Sequence, residues 1–167
     1  FELASGKHSR RYFSAARLLG KPEVVEELTS ELAASCRGFG VDAVLGANEA
    51  GSVLASGVAG SLRRPLVLGG RRGGEYQLLG APELRGVRVL VVDDVTTSGG
   101  TAHVLLDLVR EAGGIPVGLG LVATKGLVQL DLEVPVSILG TLRDMDAVTP
   151  EECSACAEGL EPSPTVA

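Results

Sequence analysis

Apolar positions along the chain follow two rhythms. Short runs at Val41–Leu45, Pro65–Leu68, Val89–Val92, Ile115–Thr124 and Val134–Leu139 are bounded by glycine or polar residues, and such runs read as buried strands. Between them the spacing changes to three and four residues, which places apolar side chains on one face of a helix. Val25, Leu28, Leu32 and Ala33 do so within Glu23–Cys36, which Pro22 opens and Gly38 and Gly40 close. Val53, Leu54, Val58 and Leu62 do so within Ser52–Leu62, and the pattern from His103 to Ala112 ends at Gly113-Gly114. Strands alternating with helices predict an α/β fold, a mostly parallel sheet of about five core strands flanked by helices. Gly69–Gly86 is polar and glycine-rich and is expected to be loop, and the proline- and glutamate-rich tail from Thr149 is expected to be loosely held. No internal repeat or domain boundary is visible. A single domain over 1–167 is expected, in which 1–22 and about 140–167 form a small hood.

In open parallel sheets, ligands bind beyond the carboxyl ends of the strands. Polar turns follow Leu45, Leu68 and Val92, and the third is the most telling. The run Val89-Leu-Val-Val ends in Asp93 and Asp94, then Val95-Thr96-Thr97-Ser98-Gly99-Gly100-Thr101, then the helical pattern. A strand, a glycine turn and a helix start together form an anion site, because backbone N–H groups converge there and the helix dipole favours negative charge. The hydroxyls of Thr96, Thr97, Ser98 and Thr101 add donors suited to a phosphate monoester. Asp93 and Asp94 are acceptors and suit the neighbouring hydroxyls of a sugar, so the combination points to a ribose 5-phosphate. A generic doubly wound domain, or an acidic pocket of the response-regulator kind, would not place hydroxyls and glycines in register after the acids. No Walker A and no GxGxxG pattern occurs. The turn Gly46-Ala47-Asn48-Glu49-Ala50-Gly51-Ser52 also precedes a helix and could present N–H groups to a second anion.

Composition narrows the class. Of 167 residues, 45% are apolar and 22% charged, which describes a globular chain. A net charge of −6 argues against a nucleic-acid binder held by general electrostatics, so phosphate recognition must be local. The longest apolar stretch, around Ile115–Ala123, is too short for a bilayer span. The three cysteines do not form a disulfide framework, and a reducing cytoplasm is the expected location. The chain begins at Phe1 without a Met, so it is expected to lack its original start.

The Val89–Thr101 segment resembles the signature of type I phosphoribosyltransferases, which use phosphoribosyl pyrophosphate (PRPP). The resemblance implies that Asp93 and Asp94 hold the ribose hydroxyls and that Val95–Thr101 holds the 5-phosphate. It also implies that Ala47, Asn48 and Glu49 belong to a pyrophosphate loop. The N-terminal run Phe1-Glu-Leu-Ala-Ser5-Gly6-Lys7-His8-Ser9, followed by Tyr12-Phe13, resembles the hood of the orotate branch. The aromatic pair and Lys7 are thereby implicated at a flat pyrimidine base. Arg71 and Arg72, followed by Gly73 and Gly74, lie where that branch carries a mobile catalytic loop, and Cys153-Ser-Ala-Cys156-Ala-Glu-Gly159 matches a Cys-x-x-Cys-x-x-Gly tail. The implied reaction transfers a phosphoribosyl group from PRPP to orotate, with Mg²⁺ carried by PRPP, in a homodimer that contacts neither nucleic acid nor membrane.

The chain departs from the branch at three cationic positions. Ala4 stands where a lysine usually precedes Ser-Gly, Gly69 and Gly70 where a strand usually ends in lysine, and Thr124-Lys125 where Asp-Arg is usual. Lys7, Arg71, Arg72 and Lys125 are the candidate replacements. Two alternatives stay open: the same chemistry on another base, and a non-catalytic binder of PRPP or a nucleotide. Cys153 and Cys156 have metal-ligand spacing but supply only half of a tetrahedral zinc site. The rest would come from Cys36, His8, His103 or a partner chain, and two reduced thiols at a terminal turn are the expectation. His103 is given no role.

Overall fold

The computed structural model describes residues 1–3, 6–80, 83–143 and 145–163. Ala4, one of the departures noted above, lies outside the described residues, as do Ser5 and the last four positions. The chain forms β1 (His8–Ser9), α1 (Ala15–Leu19), α2 (Pro22–Cys36), β2 (Ala43–Ala47) and α3 (Asn48–Leu62). There follow β3 (Leu66–Arg72), β4 (Glu75–Leu78), β5 (Arg88–Thr96), α4 (Gly100–Glu111), β6 (Ile115–Lys125), β7 (Val136–Leu142), β8 (Ala147–Val148) and α5 (Ser154–Ala157).

Six strands form the main sheet in the order β4-β3-β2-β5-β6-β7, parallel except for β4. The alternation of side chains along the central strands divides the core. Val44, Leu90 and Val92 face α2 and α3, against Leu32, Leu54 and Val58. Leu45, Val89 and Val91 face α4, against Leu105, Leu106 and Val109. All of these are at most 1% exposed, and each such side chain contributes about 1.5–3 kcal/mol relative to exposure. A strand buried on both faces has no polar side to show, which is why β5 reads as an unbroken apolar run.

The sheet has one strand more than predicted because part of the expected Gly69–Gly86 loop is a β-hairpin. β3 extends to Arg72, Gly73 and Gly74 turn the chain at φ 61° and 90°, and β4 returns antiparallel with Arg71 opposite Tyr76. A two-residue turn with both φ positive matches the twist of the flanking strands and calls for Gly-Gly. β1 and β8 pair separately, His8 with Val148 and Ser9 with Ala147, so the two ends of the chain meet. The tail is also more ordered than expected. Thr149 and Glu152 form a capping box, and the Glu2 N–H donates to the Ser163 carbonyl at 3.0 Å. Among the described residues, no helix is long and apolar enough to cross a membrane.

Strand order reverses between β2 and β5. From β2 the chain crosses outward to β3, and β5 then starts the other half, on the far side of β2. The crevice at such a switch point lies beyond the carboxyl ends of both strands. The turns after Ala47 and Thr96 border it.

Candidate active site

The end of β5 holds the two acids. Asp93 is 8% exposed, and Asp94 is half-buried. Burial, reinforced by the neighbouring Asp94 carboxylate, pushes the Asp93 carboxyl up to about 7. The Asp94 N–H, donating to Asp93 Oδ1 at 3.0 Å, opposes that rise. The buried Thr96 hydroxyl oxygen accepts the Gly99 N–H at 2.9 Å and closes the turn. Thr96 therefore builds the turn itself, while Thr97 and Ser98 are exposed and Thr101 is half-buried. α4 starts at Gly100 with no side-chain cap, so its first N–H groups are open to an anion.

The neighbouring turn is tighter than expected. α3 begins at Asn48, not Ser52, so Gly46 lies in β2 and Gly51 in the helix. Both glycines serve close approach. A Cβ on Gly46 would lie 2.3 Å from the Gly51 carbonyl oxygen, and one on Gly51 would lie 3.0 Å from Asp93 Oδ1. α3 is thereby drawn onto β2 and against the acid pair. Asn48 adopts φ 57°, uncommon for a residue with a side chain. Its Nδ2 donates to the Tyr76 hydroxyl at 2.8 Å, tying this turn to the hairpin. Glu49 is exposed.

The hairpin lies beside the start of α4. The Arg71 guanidinium sits 4.5 Å from the Tyr76 ring centroid. Arg71 and Tyr76 share a cavity with Gly100 and Thr101. On β3, Gly69 and Arg71 lie on one face, two positions apart, so Arg71 carries a cation beyond the glycine that stands in for the usual lysine. Arg72 is exposed beside the turn and does not line this cavity.

A second cavity, of about 430 Å³, adjoins the turn after β5 at Thr97. Lys125, at the end of β6, lines it with Ser9, Arg11 and Tyr12 from the hood and Asp146 before β8. The adjacent Thr124 is buried and donates its hydroxyl to the Gly126 carbonyl at 2.9 Å, shaping the turn at Lys125. Tyr12 and Lys125 thus come together, 113 positions apart in sequence (125 − 12). Phe13 instead lines a different cavity with Arg17 and Lys21, and Lys7 is exposed and lines neither. Arg11 was missed in the sequence, its only signal being adjacency to the aromatic pair; Ser9 was read as part of the hood run but given no place at this cavity.

No family model matches the chain. The orotate phosphoribosyltransferase of Pelotomaculum thermopropionicum is 35% identical over 161 residues, covering 96% of this chain and 84% of its own length. That of Caldanaerobacter subterraneus subsp. tengcongensis is 34% identical over the same coverage. The chain belongs to the orotate phosphoribosyltransferase family. The solved orotate phosphoribosyltransferase of Aeropyrum pernix has a TM-score of 0.69 at 27% identity, with 85% of each chain covered. The adenine phosphoribosyltransferase of Rhodothermus marinus, 23% identical with a TM-score of 0.69, covers 79% of this chain and 87% of its own and shares the fold.

One cluster lies apart from the acids and the two cavities. His8, Cys153 and Cys156 converge, with their candidate ligand atoms all within 4.8 Å of one another. Cys156 Sγ is 3.2 Å from His8 Nδ1. A hydrogen bond from the Cys156 backbone is the main cause that pulls the Cys153 thiol down to about 7. The expectation from sequence was two thiols at a simple terminal turn, with His8 as one of several candidate further ligands; the fold brings His8, and not Cys36 or His103, to them. Cys36 is buried in the core beside Ser35, and His103 is exposed on α4.

Proposed function

We propose that the chain transfers the phosphoribosyl group of PRPP to orotate, giving orotidine 5'-monophosphate and pyrophosphate. The observation that carries the reading is the junction of three features: an acid pair with Asp93 buried at the switch point, an uncapped helix start behind a hydroxyl turn, and a cavity with Tyr12 and Lys125 at Thr97. In this reading Asp93 and Asp94 accept the ribose hydroxyls. Val95, Thr96, Thr97, Ser98, Gly99, Gly100 and Thr101 form the phosphate cradle. Ala47, Asn48 and Glu49 border the pyrophosphate. The bond from the anomeric carbon to pyrophosphate breaks, and a bond to a ring nitrogen of the base forms. No protein nucleophile is needed, so catalysis rests on positioning and on stabilising the charge that leaves. Arg71, with Arg72 exposed beside the hairpin turn, offers the positive charge that offsets it. Lys125 and Arg11 face the carboxylate of the base, and Tyr12 offers a ring beside it. Phe13 and Lys7, outside that cavity, are left to hold the hood.

Magnesium is proposed to arrive with PRPP, whose polyphosphate supplies oxygen ligands; among the described residues the carboxylates of Asp93, Asp94 and Glu49 do not converge into a metal site of their own. When bound with PRPP it neutralises the pyrophosphate. A homodimer is part of the same proposal. Leu66, Leu68 and Leu79 are 38%, 39% and 45% exposed on and beside the outer face of β3, an apolar surface suited to a second copy. A cytoplasmic location accords with the free thiols.

The test is pyrophosphate release from PRPP and Mg²⁺ by the purified chain, with and without orotate. Orotate-dependent release is expected. Release only with another base, or PRPP binding with no release, would overturn the reading.

A further inference from the structure

His8, Cys153 and Cys156 form a group that the transfer chemistry does not use. They come from opposite ends of the chain, His8 and Cys156 being 148 positions apart. His8 lies on β1 and is 8% exposed, and the cysteines flank the start of the short α5 and are half-buried. We propose that these three side chains bind a zinc ion that clips the C-terminal tail to the hood.

The chemistry of the set selects the metal. Two thiolates and an imidazole are the soft and borderline ligands that zinc prefers over magnesium or calcium. The two thiolate charges offset the ion's charge, so the half-buried site is neutral overall. A tetrahedral zinc with bonds of about 2.0–2.3 Å sets its ligand atoms about 3.5–3.8 Å apart. Here one pair stands at 3.2 Å and the whole set lies within 4.8 Å, so small side-chain adjustments suffice. The cavity that His8 and Cys153 line also holds Glu152 and Glu161, and water entering there takes the fourth position. Binding displaces one proton from each thiol and changes no oxidation state.

The clip acts on the wall of the base cavity. Ser9, next to His8, pairs with Ala147, and both line that cavity beside Tyr12 and Lys125. A metal joining His8 to the tail holds this two-stranded wall, too short to be stable on two residue pairs alone. The proposal does not depend on the identity of the base or on turnover.

The experiment is metal binding by the whole chain, reduced and stripped with chelator, titrated with Zn²⁺ and separately with Co²⁺ as a spectroscopic probe. One zinc per chain is expected, with a thiolate-to-cobalt charge-transfer band. That band should weaken in Cys153→Ser and in Cys156→Ser and vanish in the double variant. His8→Ala should lower zinc affinity about tenfold or more. Zinc should raise the melting temperature of the wild type and leave that of the double variant unchanged. No uptake by the reduced wild type would overturn the proposal, since that measurement needs no variant to fold. Unaltered uptake by the double variant would also overturn it. A Cys153–Cys156 disulfide in the isolated protein, with no zinc taken up after reduction, would assign the pair to redox chemistry instead. PRPP binding, followed in parallel, separates failure of the clip from failure of the transferase reading.

Discussion

At the scale of single residues, Asp93 carries the most consequence. Its carboxyl is buried beside a second acid, and the fold holds it there against its own ionisation. The unfolded carboxyl titrates near 3.9 and the folded one at about 7. Between those values the folded chain holds a proton that the unfolded chain has released, so Asp93 makes stability fall as pH rises from about 4 to about 7. Asp93→Asn should remove that slope. The variant's melting temperature at pH 8 should match or exceed that of the wild type, although its affinity for PRPP drops by about 100-fold or more, since a buried acceptor of sugar hydroxyls is replaced. Calorimetry with PRPP and thermal melts across pH check both halves. Lys125 is the second such residue. Its ammonium supplies a charge but not the bidentate fork of the usual arginine. Lys125→Ala should raise the KM for orotate about tenfold or more while leaving the KM for PRPP nearly unchanged, and Lys125→Arg should restore it.

At the scale of elements, the junction of β2 with α3 depends on the absence of side chains. Gly46→Ala would drive a methyl into the Gly51 carbonyl and Ala55. Overpacking of this kind costs about 1–3 kcal/mol, to be read as a lower urea midpoint. PRPP affinity should fall with it, because α3 would shift away from Asp93. The β3–β4 hairpin makes a different prediction. Arg71 stands over Tyr76, whose hydroxyl accepts from Asn48 in the turn proposed to border the pyrophosphate. Arg71→Ala should lower kcat by about 10²–10³-fold with little change in PRPP affinity, and single-turnover kinetics with direct PRPP titration would separate the two. Equal losses in both would mean that the arginine only helps to bind the ground state.

At the scale of the whole molecule, β3, next to the edge strand β4, shows an apolar outer face. Leu66 and Leu68 alternate with the buried Val67 and Gly69, so one face of β3 points into the core and the other outward. Leu79 joins that outer face against Gly70. If a second copy covers it, Leu66→Lys with Leu68→Lys should shift sedimentation from dimer to monomer without unfolding the chain, since both side chains are already more than a third exposed. An unchanged dimer would move the interface elsewhere.

Sequence alone determined the parts that are contiguous. The strand ending in Asp93 and Asp94, the hydroxyl turn and the helix behind it were legible because one short stretch contains all of them and chain connectivity suffices to assemble them. The parallel sheet was legible for the same reason, since each strand and crossover helix carries its own period. The hairpin was hidden by its composition: arginines and glycines in β3 and β4 give no apolar alternation, and the Gly73-Gly74 turn was the one local sign of it. Only the tertiary structure decided which distant groups share a site. The packing of the N-terminal segment beside the end of β6 set Tyr12 with Lys125 and left Phe13 and Lys7 aside, and the β1–β8 pairing set His8 with Cys153 and Cys156. Such meetings depend on which strands become neighbours, and that is set by burial of the whole core rather than by any short run of residues.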